Sequence, residues 1–164
     1  MSFKDFFISF KKVAIPFILA TFLIILDRFL KNYALITEYK INLIPNWLQF
    51  SFIKNYYIAF SIPISGIFLN LLILGVLIIL IWQLLIHIKK QHRIESSLLF
   101  FVILGASSNL FDRFSHGFVI DYIDLKYFSV FNIADAMISC SLLFFILRLH
   151  WLERKKIKFK NNHY

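Results

Sequence analysis

Two aspartates stand where apolar surroundings make carboxylates unusual. Asp121 follows a turn around Gly117, and Asp135 falls in the first turn of an apolar run that begins near Ile133. The segment between them is short enough for both carboxylates to converge at one membrane depth. Crowded like charges cannot both ionise cheaply and tend to hold one proton between them. The ionised member can take a proton from water while the protonated member donates to a carbonyl oxygen, which suits hydrolysis without a metal or a covalent intermediate.

Two further groups of polar side chains lie at the ends of apolar runs. Asn109, Asp112 and Arg113 are spaced three and four apart, so one helical face carries an amide, an acid and a base. Asp27 and Lys31 are four apart and can pair on one helix. Each group has a structural interpretation: a local Asp112–Arg113 pair or cap, and an interfacial Asp27–Lys31 ion pair. The functional alternative for Asp27 and Lys31 is to fix a loop or a polar substrate backbone.

The sequence lacks the residue patterns that other catalytic and cofactor chemistries need. The only cysteine, Cys140, lies in an apolar run and excludes an internal disulfide. The five histidines are scattered and form no zinc-type set, and no glycine-rich phosphate loop is present. No metal and no cofactor are therefore predicted.

The elements that must position these side chains are apolar runs. Sixty per cent of the 164 residues are hydrophobic, well above the share of about 45–50% in a soluble domain. A helix that crosses about 30 Å of hydrocarbon needs about 20 mostly apolar residues. The sequence predicts an all-α integral membrane protein of one domain, with four transmembrane helices at about 13–30, 64–88, 96–111 and 133–151 and a basic tail at 152–164.

Basic residues flank three of the segments outside these runs. Under the positive-inside rule, the segments before the first helix, between the second and third, and after the fourth are cytoplasmic. Both termini then face the cytoplasm, and the loops at about 35–62 and 114–131 carry the carboxylates outward. Orientation and contact with membrane lipids account for the formal net charge of +9, so no nucleic-acid partner is predicted. The flanking bases include Lys4, Lys11, Lys12, Lys89, Lys90, Arg93, Arg154, Lys155, Lys156, Lys158 and Lys160.

The first outer loop carries a strand pattern. From Asn46 to Lys54 it reads N-W-L-Q-F-S-F-I-K, in which apolar positions 48, 50 and 52 alternate with polar positions 49 and 51. A period of two is typical of a half-buried strand. We therefore expect a small outward-facing β-containing region at the membrane surface.

Four motifs, in this order, make the chain resemble the signal peptidase II family, the lipoprotein signal peptidases, over nearly its whole length. Residues 27–31, D-R-F-L-K, are similar to the family's D-x-x-x-K, and residues 55–60, N-Y-Y-I-A-F, to its N-x-G-x-A-F. Residues 105–121 resemble G-A-x-G-N-x-x-D-R followed by the aspartate of V-V-D-F. Residues 131–135, F-N-I-A-D, match F-N-x-A-D.

The resemblance implies a membrane aspartic endopeptidase of the bacterial cytoplasmic (inner) membrane. Its substrates would be diacylglyceryl-modified prolipoproteins, cut just before the lipid-modified cysteine at the outer face. The catalytic pair falls on Asp121 and Asp135. The resemblance assigns positioning of the substrate backbone or of the pair to polar residues at matching positions, namely Asn55, Asn109, Arg113, Asn132, Asp27 and Lys31.

The chain departs from the family pattern at three positions. Tyr57 and Ser108 stand where the pattern has glycine, and Ala136 stands where a serine is usual. The first two add bulk near the expected path of a substrate backbone. We therefore expect an intact aspartate pair in a modified pocket.

A different class of function stays open from the residues alone. A small membrane transporter or assembly subunit without enzymatic activity could use the outer carboxylates for cations or for a partner. Acids buried in the middle of a span would favour transport. Here they lie at one rim, which favours a surface-facing cleft.

Overall fold

All four apolar runs form helices in the computed structural model, which describes residues 3–37, 40–56 and 66–161. Backbone hydrogen bonding continues into the polar flanks, so the helices extend beyond several of the predicted limits. Their bounds are α1 Phe3–Thr37, α2 Gly66–Lys89, α3 Arg93–His116 and α4 Ile133–Asn161.

Three of the described helices are long and apolar enough to cross a membrane: Gly66–Lys89, Arg93–His116 and the Ile133–Lys155 part of α4. On α2, large apolar side chains such as Phe68 and Trp82 are mostly exposed, as expected of a surface that faces lipid. Helix α1 has 35 residues, but its apolar stretch is interrupted by the charged residues of the D-R-F-L-K motif. Length and composition of the described residues therefore identify three of the four predicted spans, and the first, on α1, is not among them.

Helix α3 lies between α2 and α4. Leu77 and Leu84 of α2 bury against Ile103 and Leu110 of α3, and the spacing of seven within each pair places both on one helical face. These contacts form an apolar seam without polar atoms, which suits packing inside a membrane.

The other side of α3 approaches α4 closely. A Cβ added to Gly105 would lie 2.6 Å from the backbone oxygen of Ala134, so only glycine allows this separation. Near the start of α3, Glu95 pairs with Arg148 of α4, with Nη2 3.0 Å from the carboxylate oxygen. These contacts tie the two helices together at both ends of their shared length.

The predicted small β-region is an antiparallel sheet in the order β1-β2-β3. Its strands are β1 Ile41–Ile44, β2 Leu48–Asn55 and β3 Val119–Leu125. Strand β2 confirms the strand predicted at 46–54, but burial does not alternate along it, since Phe50 and Ser51 are both buried and the register shifts between Phe50 and Ile53. Strand β3 falls in the segment predicted as the second outer loop, and Asp124, expected in a loop, pairs with Gln49 across the sheet. Pairing with β2 overrides the loop prediction, because residues 119–125 pair with strand residues that lie 64 or more positions earlier in the chain.

Candidate active site

Helix α4 begins with a reciprocal cap between Asn132 and Asp135. The Asp135 backbone N–H donates to Asn132 Oδ1 at 2.8 Å, and the Asn132 backbone N–H donates to Asp135 Oδ2 at 3.3 Å. This is a capping box in which an amide and a short acid replace the usual hydroxyl and longer acid. The F-N-x-A-D motif thereby holds the Asp135 carboxylate against the start of its own helix.

Side chains from other elements cap the rest of the first turn. The Ile133 N–H donates to Tyr122 Oη at 3.2 Å, and the Ala134 N–H donates to Asp27 Oδ1 at 3.3 Å. A helix start leaves four N–H groups without an intrahelical partner, and all four at the start of α4 have acceptors. The position of Asp135 is therefore set jointly by α1, β3 and α4.

The sheet brings Asp121 to the same place. Its Oδ2 accepts from Asn55 Nδ2 at 2.9 Å and its Oδ1 from Asn132 Nδ2 at 2.7 Å. The β2–β3 register shifts between Phe50 and Ile53. In an uninterrupted strand Phe50 and Asn55 would project from opposite faces, and this irregularity removes that constraint. Strand β2 can thus place Phe50 in the core and Asn55 as a hydrogen-bond donor to Asp121.

Asn132 joins the two aspartates because the chain after β3 folds back on it. Phe131 forms a bridge with Ile123, with N–H to oxygen distances of 2.8 and 3.1 Å. The next residue, Asn132, is fully buried. Its side-chain nitrogen binds Asp121 while its side-chain oxygen and backbone N–H hold Asp135.

A second amide connects Asp135 to a buried base. Asn109 Nδ2 donates to Asp135 Oδ1 at 2.7 Å, and Asn109 Oδ1 accepts from Lys31 Nζ at 2.9 Å. Because an ammonium group can only donate, Lys31 fixes which end of the Asn109 amide faces Asp135. The amide therefore presents its N–H to the carboxylate.

Lys31 belongs to a buried charge cluster made of Asp27, Arg28, Lys31 and Asp112. Lys31 Nζ lies 2.7 Å from Asp112 and 3.1 Å from Asp27, and Arg28 pairs with the other oxygen of Asp112. Asp27, Lys31 and Asp112 have no exposed surface. The cluster contains two acids and two bases, so its formal charges balance, as buried ions require.

Burial changes the acidity of Asp121. The side chain is almost completely buried, which disfavours its charged form, and the nearby charge of Asp135 adds to the effect. Together they raise the pKa of Asp121 from its ordinary 3.8 to about 7, although the amides of Asn55 and Asn132 oppose the change. An acid with a pKa near 7 is partly protonated at neutral pH, so the pair can retain one proton there.

The structure brings the aspartates together with all the predicted polar residues, in two layers. Asn55, Arg113 and Asp135 are half-buried and form the accessible side of the site. Arg113 lies within electrostatic reach of both carboxylates. Asp27 and Lys31, predicted to bind substrate, are fully buried and contact protein atoms instead.

Two other expectations need revision. Asp112, expected in a local pair or cap, contacts Arg28 and Lys31 from α1 and the Ile120 N–H, so it joins α3 to two other elements. Ser108, expected to narrow the substrate path, is buried, and its hydroxyl donates to Asp27 Oδ2 at 2.7 Å. Its bulk therefore faces the charge cluster. Tyr57 lies outside the described residues.

Sequence reasoning missed Tyr122 and the partners of Arg28. Tyr122 is 1% exposed, and its hydroxyl donates to Asp27 Oδ1 at 3.0 Å. A tyrosine beside a site aspartate in an apolar segment is a usable signal, because a buried phenol needs a hydrogen-bond partner. Burial and the charge of Asp27 raise the pKa of the Tyr122 hydroxyl, which therefore stays protonated.

The sequence of the chain is similar to sequences of known proteins. The family model described as signal peptidase (SPase) II matches residues 19–151. The chain is 30% identical over 150 residues to a lipoprotein signal peptidase of Lactobacillus johnsonii, covering 88% of this chain and 97% of that protein. It is 43% identical over 94 residues to a lipoprotein signal peptidase of Helicobacter pylori, where the match spans 56% of that relative and 55% of this chain.

The fold is shared as well. A solved bacterial membrane enzyme, determined by the in meso method at 2.3 Å, superposes with a TM-score of 0.70 at 25% identity. The match covers 84% of this chain and 88% of that one. The matched segment, residues 19–151, contains every residue of the site from Asp27 to Asp135, and the chain belongs to the signal peptidase II family.

Proposed function

We propose that this protein is a membrane aspartic endopeptidase that cleaves diacylglyceryl-modified prolipoproteins, with Asp121 and Asp135 as its catalytic pair. The observation that carries the proposal is the pairing itself. One asparagine, Asn132, holds both aspartates of the matched motifs, and burial raises the pKa of Asp121 to about 7. A pair with one retained proton is what acid–base hydrolysis of an amide needs.

The protons then move as follows. Asp135 lies in the first turn of α4 and accepts from the Asn109 side-chain amide and from the Asn132 backbone N–H, which favours its ionised form. It takes a proton from water as the water oxygen attacks the carbonyl carbon. Asp121 donates its proton to the carbonyl oxygen. When the tetrahedral diol collapses, one hydroxyl proton returns to Asp121, the C–N bond breaks, and Asp135 gives its proton to the leaving nitrogen.

The half-buried residues are placed to meet the substrate. Arg113 can act on charge that develops on the carbonyl oxygen, because both carboxylates already lie within its electrostatic reach. Asn55 holds Asp121 from the sheet side and lies at the accessible rim. The buried residues Asp27 and Lys31 position the pair and do not contact substrate.

Burial supports a fourth span and an outward-facing site. The charged residues that interrupt α1, Asp27 and Lys31, are completely buried, whereas its apolar residues Phe22, Ile25 and Phe29 are each about 60% exposed. A lipid-facing surface of α1 is thus apolar in spite of the charges. With four spans, the basic segments face the cytoplasm, and the aspartate pair lies at the outer face of the bacterial inner membrane.

The test is cleavage by the purified protein in lipid. Wild type should shorten a diacylglyceryl-modified prolipoprotein, and Asp121→Asn and Asp135→Asn should each lower kcat by about 10²- to 10⁴-fold. Asp124→Asn is the matched control, since Asp124 lies on the same strand as Asp121 and pairs with Gln49 away from the site. The control should retain wild-type activity. Full turnover by either dyad variant would remove the mechanism, and loss of activity on adding a chelator would point to a metal instead.

A further inference from the structure

Two hydroxyl groups from different elements meet on one carboxylate. Ser108 lies on α3 and Tyr122 on β3, and both side chains are buried. The Tyr122 hydroxyl donates to Asp27 Oδ1 at 3.0 Å, and the Ser108 hydroxyl donates to Asp27 Oδ2 at 2.7 Å. Each oxygen of Asp27 therefore receives one hydroxyl donor.

Asp27 needs these donors because Lys31 is shared. The Lys31 ammonium lies 2.7 Å from Asp112 and 2.9 Å from the Asn109 oxygen, but 3.1 Å from Asp27. An ammonium group has three protons to give. The shorter contacts of Lys31 go to Asp112 and to the amide that holds Asp135.

The hydroxyl of Tyr122 also contacts the first turn of α4. It accepts from the Ile133 N–H at 3.2 Å, and the Asp27 oxygen that it binds accepts from the Ala134 N–H at 3.3 Å. Asp135 is the next residue along the chain. A displacement of Tyr122 or Asp27 would therefore be felt in the first turn of α4.

We propose that Tyr122 and Ser108 form a hydroxyl pair that acts as a positioning device: it fixes Asp27 against the first turn of α4 and so sets the place of the Asp135 carboxylate. This inference rests on the proposed function for its kinetic test only. Neither hydroxyl touches the reacting atoms. The pair acts through Asp27 and the backbone of residues 133 and 134.

Tyr122→Phe removes one hydroxyl without changing the ring. We expect kcat per folded molecule to fall about tenfold, with KM within about twofold, because an interaction that places a catalytic group acts on the transition state. Tyr33→Phe is the matched control: Tyr33 packs against Phe50, as Tyr122 does, but does not contact Asp27. It should keep the wild-type kcat. A merely structural Tyr122 would lower the melting temperature and leave kcat of the folded protein unchanged, which would overturn the proposal.

Ser108→Ala completes a double-mutant cycle. The two hydroxyls bind the same carboxylate, so the rate loss of the double variant should differ from the product of the single losses by about threefold or more. Independent, multiplicative effects would contradict the pair. Effects that depend on each other would support it.

Amide hydrogen exchange tests the device without activity. In Tyr122→Phe the amides of Ile133 and Ala134 should exchange about tenfold faster than in wild type, because the first turn of α4 loses an acceptor. Unchanged exchange at both amides would overturn the proposal even if wild type cleaves prolipoproteins. If wild type does not cleave them, the proposed function fails, while faster exchange would still support the hydroxyl pair.

Discussion

An alanine at position 105 has no room between α3 and α4. Built on the backbone of Gly105, a Cβ lies 2.6 Å from the Ala134 backbone oxygen and 3.0 Å from Ile138 Cγ1. Ordinary contact begins at 3.4 Å. The isoleucine side chain can rotate, but the Ala134 oxygen belongs to the helix backbone. Gly105→Ala should therefore push the two helices apart by about 0.8 Å at this point.

That displacement falls directly on the site. Asn109 lies one turn after Gly105 on α3, and Asp135 follows Ala134 on α4. An outward movement of about 0.8 Å would lengthen the 2.7 Å contact from Asn109 Nδ2 to Asp135 Oδ1 to about 3.5 Å, beyond normal hydrogen-bond range. Misplacement of a catalytic group by about 1 Å can cost about 10²-fold in rate. We expect a loss of this size in kcat, with KM little changed.

The variant should stay folded. Overpacking costs about 1–3 kcal/mol, and replacing a helical glycine by alanine returns about 1 kcal/mol. The assay is the initial rate of prolipoprotein cleavage in lipid, measured against substrate concentration, together with a melting curve. Gly75→Ala in α2 is the control, since a Cβ there meets nothing within 4 Å.

Two results would refute this reasoning. If Gly105→Ala keeps the wild-type kcat, the close approach of α3 and α4 does not set the position of Asp135. If Gly75→Ala loses as much activity as Gly105→Ala, the effect comes from helix propensity and not from the contact.

The pH dependence of cleavage follows from Asp121, whose pKa is raised to about 7. The cleavage rate should fall about tenfold per pH unit above that value, because the acid loses its proton. A pH-independent rate between pH 6 and pH 9 would contradict this. A raised carboxyl pKa means that ionisation costs the folded state more than the unfolded state, so stability falls as pH rises from about 4 to about 7. The free energy of unfolding of Asp121→Asn, relative to wild type, should therefore rise by up to about 4 kcal/mol between pH 4 and pH 8, as denaturant titrations at both pH values can measure. Cysteines at Lys40 and Lys126 should react with an impermeant thiol reagent in intact cells, whereas cysteines at Lys89 and Lys155 should not, and the reverse pattern would place the site on the cytoplasmic side.

The sequence alone determined the helices, strand β2 and the residues of the catalytic motifs. These features are local: about 20 apolar residues in a run favour a helix, and the period of two from Leu48 to Phe52 favours a strand. The capping role of Asn132 is also local, since its partner Asp135 lies three residues on. The spacing of residues in the sequence is enough to predict contacts of this kind.

Strand β3 could have been found and was not. Residues 119–125 read V-I-D-Y-I-D-L, rich in the β-branched and aromatic residues that strands favour. The segment was expected as a loop because its position between two spans dominated that interpretation. Its strand character depends on pairing with β2, which no local pattern of β3 specifies.

Only the tertiary structure determined which side chains contact each other in the site. Asp27 meets the Ala134 N–H across 107 residues and Tyr122 across 95, and Lys31 meets Asn109 across 78. These contacts exist because α1 packs against the start of α4 and the end of α3. Inside an apolar protein each buried charge must find partners, but the sequence does not say which ones. Burial places Asp27 and Lys31, expected as substrate ligands, in contact with protein atoms, and it raises the pKa of Asp121. Both effects depend on the exclusion of water by residues far away in the chain.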